Sequence, residues 1–229
     1  KRILIKLSGE MLGEAGAGFS MTSAGNVASE IKQVYSKDLD IAVLVGGGNI
    51  MRFRDSREID RLSADFMGMT ATIINALGLQ NALKKAGIEA VIQSALNIEQ
   101  ITEGLSVSQS ELFFTEGRVV IFAGGTGAPF FTTDTAAALR ALEIGADIIL
   151  KATKVDGVYD CDPAKNSVAK LYREDLTFDE ALSKDLKIMD SAALAILKEG
   201  NVGVRVFNFN KAGNLAKIIA GEDIGTYIG

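Results

Sequence analysis

Residues 41–49 read Ile-Ala-Val-Leu-Val-Gly-Gly-Gly-Asn, and residues 119–134 read Val-Val-Ile-Phe-Ala-Gly-Gly-Thr-Gly-Ala-Pro-Phe-Phe-Thr-Thr-Asp. Each stretch predicts a buried strand that runs into a glycine loop and then into a helix. Glycine has no Cβ, so the N–H groups of such a loop can close around an anion at the positive end of the following helix. One loop of this kind is weak evidence for phosphate binding. Two in one small domain suggest that two phosphorylated ligands meet there.

Apolar runs alternate with segments of helical periodicity along the rest of the chain. This alternation predicts an α/β fold, a three-layer α/β/α sandwich with a mostly parallel central sheet and right-handed crossovers. Ligands of such a sheet bind at the carboxyl ends of the strands. Strands are predicted at residues 2–7, 41–45, 90–93, 119–123, 148–151 and 204–208. Helices are predicted at residues 24–36, 60–86, 135–144, 178–184, 191–199 and 212–220. The helix at 60–86 either packs on the sheet or also forms a subunit interface. Repeats and linkers are absent from the sequence, which indicates a single domain over residues 1–229.

The composition excludes several classes of function. The chain has 229 residues, a formal net charge of −5 and 48% hydrophobic residues, so we expect a sizeable core and no nucleic-acid-binding surface. Histidine is missing, which removes the commonest general base and metal ligand. The single cysteine, Cys161, excludes an intramolecular disulfide and fits a reducing, cytoplasmic location. We see no signal peptide and no continuous apolar run of about 18 residues, so we expect no membrane association.

Two motifs could hold the phosphates of a nucleotide. Lys6-Leu-Ser-Gly-Glu10 ends the first predicted strand, and a lysine there could place its ammonium beside a phosphate, or could simply be solvated. Arg52 follows the Gly46–Gly48 loop by about one helical turn, and its guanidinium could donate two hydrogen bonds to phosphate oxygens. The alternative is a tight turn with a surface arginine. The spacing matches neither a P-loop nor a dinucleotide-binding fingerprint, which disfavours a nicotinamide enzyme.

Three further segments carry polar groups next to apolar ones. Asp65 lies near the start of the helix at 60–86, where it either stabilises the helix end or accepts hydrogen bonds from ribose hydroxyls. The segment 126–134 contains threonines, aromatic rings and Asp134. Asp134 either caps a helix or orients lysines and Mg²⁺ at the reacting phosphates. In the segment 151–163, Tyr159 could stack on an adenine and Asp162 could accept from a ribose, or the segment is a hairpin with solvated charges.

Together these motifs resemble those of the bacterial UMP kinases, a family of the amino acid kinase superfamily. The resemblance rests on Lys-Leu-Ser-Gly-Glu at 6–10, Gly-Gly-Gly-Asn at 46–49, Asp65 before Met-Gly-Met, and Pro-Phe-Phe-Thr-Thr-Asp at 129–134. It extends to Lys-Ala-Thr-Lys-Val-Asp-Gly-Val-Tyr at 151–159, Leu-Lys-Ile-Met-Asp at 186–190 and Arg-Val-Phe-Asn-Phe-Asn at 205–210. It implies transfer of the γ-phosphoryl group of ATP to UMP, in pyrimidine nucleotide biosynthesis, with Mg²⁺ accompanying ATP.

The resemblance also implies roles for individual residues. The catalytic residues would be Lys6, Asp134 and Arg52. ATP would be bound by Lys6, Leu7, Ser8, Gly9, Gly48, Arg52, Thr153, Tyr159 and Asp162. UMP would be bound by Gly47, Asp65, Thr126, Gly127, Ala128, Pro129, Phe130, Phe131, Thr132 and Thr133. The family usually has asparagine where this chain has Ala128, so one amide of the acceptor site is lost here. We assign no role to Asp190.

The resemblance further implies a homohexamer activated by GTP and inhibited by UTP. The region of the family that is linked to GTP corresponds to the loop 12–19, within which the allosteric residues would be Glu14, Ala15, Gly16, Ala17, Gly18 and Phe19. We expect no metal site built from protein side chains. Two alternatives remain: another amino acid kinase that phosphorylates a carboxylate or carbamate, and a nucleotide sensor without catalytic activity.

Overall fold

The computed structural model describes residues 1–14, 18–52, 58–166, 168–172 and 174–229. Its strands are β1 (Arg2–Leu7), β2 (Gly13–Glu14), β3 (Gly18–Phe19), β4 (Asp40–Val45), β5 (Ala90–Ser94), β6 (Glu103–Gly104), β7 (Val119–Ala123), β8 (Ile148–Thr153), β9 (Gly203–Asn208) and β10 (Thr226–Ile228). Its α-helices are α1 (Met21–Val34), α2 (Arg61–Lys85), α3 (Val107–Thr115), α4 (Thr133–Glu143), α5 (Phe178–Ser183), α6 (Ser191–Gly200) and α7 (Asn214–Ile219). A short 3₁₀ helix covers Gly9–Met11.

An eight-stranded sheet organises the molecule, in the order β10-β9-β8-β1-β4-β7-β5-β6. All neighbouring strands in it are parallel except the edge pair β9 and β10. The strands β2 and β3 form a separate antiparallel hairpin. The predicted α/β fold with a mostly parallel sheet is therefore confirmed.

Helices cover both faces of the sheet. Ile3 and Ile5 of β1 belong to the core under α1, α2 and α7, whereas Leu4 belongs to the core under α4, α5 and α6. Side chains alternate between the two faces of a strand. Lys6 therefore emerges on the α4 face at the carboxyl end of β1, although its neighbour Leu7 is fully buried on the other face.

The predicted helices are all present, with ends set by capping residues. Helix α4 begins at Thr133 rather than at the predicted Thr135, because the Thr132 hydroxyl accepts the N–H groups of Asp134 and Thr135. Helix α1 begins three residues before its predicted start at Ala24, since Ser20 accepts the N–H of Ser23. These short polar side chains satisfy N–H groups that have no partner within the helix.

Helix α2 bears on the expectation of no membrane association. By length and composition alone this helix could cross a membrane, although the sequence has no continuous apolar run of that length. Its buried positions include polar Thr72 and Asn75, which form hydrogen bonds to loops of the sheet. Such bonds identify α2 as a core helix of this domain.

Candidate active site

Two lysines and one aspartate meet at the carboxyl end of the sheet. Lys6 and Lys151 are register partners on the neighbouring strands β1 and β8. Asp134 lies in the first turn of α4, with Oδ1 at 2.5 Å from Lys6 Nζ and Oδ2 at 2.8 Å from Lys151 Nζ. Their side chains are only 8%, 12% and 17% exposed, for Lys6, Lys151 and Asp134 respectively. The structure thus brings together Lys6 and Asp134, which were predicted to be catalytic, and places Lys151 beside them.

Mutual attraction keeps this cluster charged despite its burial. Burial raises the pKa of Asp134, but the ammonium groups of Lys6 and Lys151 outweigh it and hold the pKa at about 2. Burial lowers the pKa of Lys151, Asp134 opposes this effect and the charge of Lys6 adds to it, so that the resulting pKa is about 8. Lys151 is therefore cationic at neutral pH but loses its proton under mildly alkaline conditions.

Asp190 secures the helix that carries Asp134. It caps α6 by accepting the N–H of Ala193 at 2.9 Å, and its carboxylate also accepts the hydroxyl of Thr135 at 2.9 Å. The hydroxyl of Thr132, the cap of α4, donates to the same carboxylate. Asp190, to which the sequence assigned no role, therefore ties α6 to the first turn of α4.

A small cavity of about 170 Å³ is lined by Thr132 and Thr133, which directly precede Asp134 in the chain. Its lining includes five residues that were predicted to bind UMP: Gly47, Asp65, Phe131, Thr132 and Thr133. Gly48, which was predicted to contact ATP, also lines it. The remaining predicted UMP residues, Thr126, Gly127, Ala128, Pro129 and Phe130, form the loop beyond this lining.

Asp65 holds that loop in place. Its Oδ2 accepts the N–H of Phe130 at 2.8 Å and lies 2.8 Å from Nε of Arg61. Phe130 has a φ of 70°, in the left-handed region that favours glycine, and its ring lies 5.7 Å from the Arg61 guanidinium. The hydrogen bond and the cation–π contact stabilise a backbone conformation that phenylalanine rarely adopts. Ala128 N–H donates to the hydroxyl of Thr126 within the same loop.

A larger cavity of about 640 Å³ has Lys151 of the cluster in its wall. Its lining contains three predicted ATP residues, Thr153, Tyr159 and Asp162, together with Lys151. Thr153 lies at the cavity wall with its hydroxyl donating to the carbonyl groups of Val155 and Phe207. The sequence analysis gave no role to several apolar wall residues: Val158, Leu186, Ile188 and Val206.

The glycine loop after β4 lies against the end of β1. Gly46 N–H donates to Leu7 O at 2.8 Å, and a Cβ on Gly9 would lie 2.6 Å from Gly48 N. Only glycine at position 9 permits this approach. Among the predicted ATP residues, Leu7 is turned into the core, so its side chain cannot contact a ligand. Ser8 precedes Gly9 at the start of the 3₁₀ turn.

A second charged group borders this loop. Arg52 forms an ion pair with Glu10 and donates from Nε to Gly48 O at 2.6 Å. Glu10 is also 3.2 Å from Lys154, whose side chain is 54% exposed. The structure thus puts Arg52 and Lys154 together around Glu10, whereas Lys6 and Lys151 pair with Asp134.

The predicted GTP region is only partly described. Glu14, Gly18 and Phe19 belong to the β2–β3 hairpin, whereas Ala15, Gly16 and Ala17 lie outside the described residues. The carbonyl oxygen of Gly18 accepts from the side-chain amide of Asn49 at 3.2 Å. This region therefore adjoins the glycine loop after β4, and its link to GTP stays a prediction.

The carboxylates of this site bear on the prediction that Mg²⁺ accompanies ATP. In the described ranges, no group of three or more aspartate, glutamate or cysteine side chains could hold a metal ion. Asp134 and Glu10 are each already paired with two cationic side chains. Since Mg²⁺ in kinases is held largely by substrate phosphates, this arrangement fits an ion that ATP carries.

The sequence of the protein matches a known family. The chain belongs to the amino acid kinase family, whose pattern matches residues 1–208. A uridylate kinase of Campylobacter concisus (strain 13826) is 48% identical over 231 residues, which cover 99% of this chain and 97% of the relative. The resemblance noted from the motifs is therefore confirmed at the level of the family.

Solved structures of similar proteins have the same fold. The UMP kinase from Bacillus anthracis superposes with a TM-score of 0.95 at 36% identity, covering 100% of this chain and 96% of the other. The UMP kinase from Ureaplasma parvum gives a TM-score of 0.92 at 36% identity, covering 100% and 98%. The uridylate kinase from Archaeoglobus fulgidus gives 0.76 at 26% identity, with 100% of both chains covered.

Proposed function

We propose that this protein is a UMP kinase that transfers the γ-phosphoryl group of ATP to UMP, giving ADP and UDP in pyrimidine nucleotide synthesis. The relatives named uridylate kinase and UMP kinase support this activity over the full length of the chain. The observation that carries the proposal is the Lys6–Asp134–Lys151 cluster. Lys151 lines the larger cavity, and Asp134 directly follows Thr133, which lines the smaller one. The cluster is therefore positioned where a donor and an acceptor would meet.

The larger cavity is the ATP site in this proposal, and the smaller one is the UMP site. Tyr159, Thr153 and Asp162 surround the adenosine. Gly48, Arg52 and the Lys6–Gly9 segment face the phosphates. Gly47, Asp65 and the residues from Thr126 to Thr133 hold UMP. Gly48 lies between these two groups, because it lines the smaller cavity and contacts Arg52.

The main obstacle to the reaction is repulsion between two anions. Two unit charges 4 Å apart repel by about 4 kcal/mol at an effective dielectric constant of 20. Lys6 and Lys151 offset this repulsion, and Asp134 fixes their ammonium groups in place. The acceptor phosphate has a second pKa of about 6, so it is largely deprotonated at neutral pH and needs no strong base. Transfer then proceeds in line, without a phosphoenzyme, through positioning and electrostatic stabilisation. Magnesium, when bound with ATP, would add positive charge at its phosphates.

The alternatives of the sequence analysis predict different substrates. A kinase for a carboxylate or carbamate needs no aspartate for ribose, whereas Asp65 lines the smaller cavity here. A sensor without activity needs no buried lysine pair around Asp134. An assay that detects ADP release separates the three possibilities with UMP, CMP and N-acetylglutamate as acceptors. We expect release with UMP. Release only with N-acetylglutamate, or no release at all, would reject the proposed function.

Replacing Asp65 with alanine should weaken the binding of UMP selectively. The KM for UMP is expected to rise about 10-fold or more, since hydrogen bonds to a charged group contribute about 1.5–3 kcal/mol, while the KM for ATP changes little. Steady-state kinetics with each nucleotide varied separately test this. Asp60→Asn is a matched control, because Asp60 only caps the same helix by accepting the N–H of Ser63 and asparagine also serves as a cap. If the KM for ATP rises instead, the two sites are assigned in reverse.

Activity should fall at alkaline pH as Lys151 loses its charge. Because the pKa of Lys151 is lowered to about 8 in the folded protein, kcat/KM for ATP is expected to decrease above that pH. A plot of kcat/KM against pH tests this, since kcat/KM reports groups of the free enzyme. Lys151→Arg keeps a cation at all these pH values and should abolish the alkaline decrease. An unchanged profile in this variant would assign the decrease to another group.

The proposed hexamer requires a surface for subunit contact. Four apolar side chains on α2 are between 40% and 48% exposed: Leu62, Phe66, Met67 and Ile74. An apolar patch of this kind favours contact with another subunit. Light scattering on the purified protein tests for six chains per particle.

Regulation by GTP and UTP and a cytoplasmic location remain part of the proposal. The division into a single domain is also part of the proposal, and it is supported by one sheet whose strands extend from Arg2 to Ile228.

A further inference from the structure

One face of α2 contacts both glycine loops. Thr72 is 1% exposed, and its hydroxyl accepts the N–H of Gly124 at 2.7 Å while it donates to Met69 O. Asn75, one turn further on, is fully buried, and its amide donates to Gly46 O at 2.6 Å. Polar side chains are rarely buried this completely unless they are hydrogen-bonded, and here both bond with loops outside their own helix.

The loop after β4 is held by further contacts with the same helix. Asn75 and Asn49 exchange amide hydrogen bonds at 2.7 and 3.0 Å. Gly47 lies so close to α2 that a Cβ there would be 2.4 Å from Gly68 O. The backbone of this loop is therefore fixed to α2 at Gly46, Gly47 and Asn49. The sequence analysis missed Thr72 and Asn75, although polar residues amid the apolar positions of a buried helix are a readable signal.

We propose that Thr72 and Asn75 are positioning residues, which set the distance between the two glycine loops and thereby between the bound donor and acceptor. The inference rests on the proposed function, because it takes the Gly46–Gly48 loop and the 124–133 segment as the nucleotide-binding loops. Both side chains are buried, at 1% and 0% exposure, although Thr72 also lies in the wall of the smaller cavity. Each acts through the backbone of a loop, Asn75 on the loop after β4 and Thr72 on the loop after β7.

This arrangement predicts different kinetic effects for the two residues. Thr72→Val keeps the shape of the side chain but leaves the buried N–H of Gly124 without a partner. The KM for UMP should then rise about 10-fold, with the KM for ATP within about twofold of the wild type. Asn75→Leu frees the loop that contributes Gly47 and Gly48 to the two sites, so both KM values should rise and kcat should fall.

Steady-state kinetics, normalised to the folded fraction from circular dichroism, test the proposal. Thr72→Ser retains the hydroxyl and should restore the KM for UMP. Thr70→Val is the matched control on the same helix, since among the described residues the hydroxyl of Thr70 bonds only with Phe66 O. Its kinetics should stay within about twofold of the wild type. The inference is wrong if Thr72→Val lowers the melting temperature but leaves both KM values unchanged. This outcome can be distinguished from failure of the proposed function, because in that case the wild type itself would form no UDP.

Discussion

Asp134→Asn is expected to reduce kcat for UDP formation by about 10²–10³-fold, the range seen when one preorganised electrostatic contact of an active site is removed. Asparagine has nearly the same shape but no charge. It cannot hold Lys6 and Lys151 at 2.5 and 2.8 Å as the carboxylate does. The two ammonium groups would then repel each other, and neither would stay where the phosphates require it.

The same substitution should also change the ionisation of the cluster. Burial and the charge of Lys6 lower the pKa of Lys151, and the negative charge of Asp134 raises it. Without it, the pKa of Lys151 should fall below about 8, so part of the remaining activity would be lost at lower pH than in the wild type. Removing one partner of a buried ion pair also destabilises a protein by about 3–5 kcal/mol, so turnover must be normalised to folded protein.

A surface ion pair provides the control for this experiment. Asp179 pairs with Lys198, and its side chain is 74% exposed. Asp179→Asn makes the same chemical change at a site where an ion pair contributes about 0–1 kcal/mol, so stability and kcat should stay near the wild-type values. Rapid-quench or coupled assays at saturating ATP and UMP give kcat for both variants. If Asp134→Asn turned over within tenfold of the wild type, Asp134 would not organise the reaction.

Much of the fold was predictable because its signals are local. The apolar runs at 41–45 and 119–123 could only be buried strands, and the glycines after each run marked their ends. Helix α3 was missed, since Ser106, Ser108 and Ser110 resemble a loop and its apolar positions do not repeat regularly. Strand β10 was missed because it has three residues and depends on pairing with β9 at the edge of the sheet.

The site was predictable as a set of motifs but not as a geometry. From the sequence alone, one or both of Lys151 and Lys154 could assist Lys6, since both lie near the carboxyl end of the same strand. The parallel register decides this, because it places Lys151 beside Lys6, whereas Lys154 lies beyond the strand and pairs with Glu10. Arg52 was grouped with Lys6 as a cation for phosphates, and the structure pairs it with Glu10, a contact that the sequence does not reveal.

Lys6→Ala should lower kcat by about 10²-fold or more while the protein stays folded, because it removes a cation from the point where the two phosphates meet. Asp134 keeps Lys151 as a partner, so the remaining pair is still neutral overall. Loss of stability should therefore be smaller than for Asp134→Asn. Kinetics at saturating nucleotide, with thermal melting followed by circular dichroism, measure the two effects separately.

The ionisation of Lys151 makes this prediction specific to the cluster. Since the charge of Lys6 lowers the pKa of Lys151, its removal should raise that pKa and move the alkaline decrease in kcat/KM above about pH 8. Asp134→Asn should move the same decrease in the opposite direction. Lys198→Ala, which removes a half-exposed lysine from the surface pair with Asp179, should shift neither the rate nor the profile. Unchanged turnover in Lys6→Ala, or shifts of the same sign in both cluster variants, would show that the three side chains do not act as one electrostatic unit.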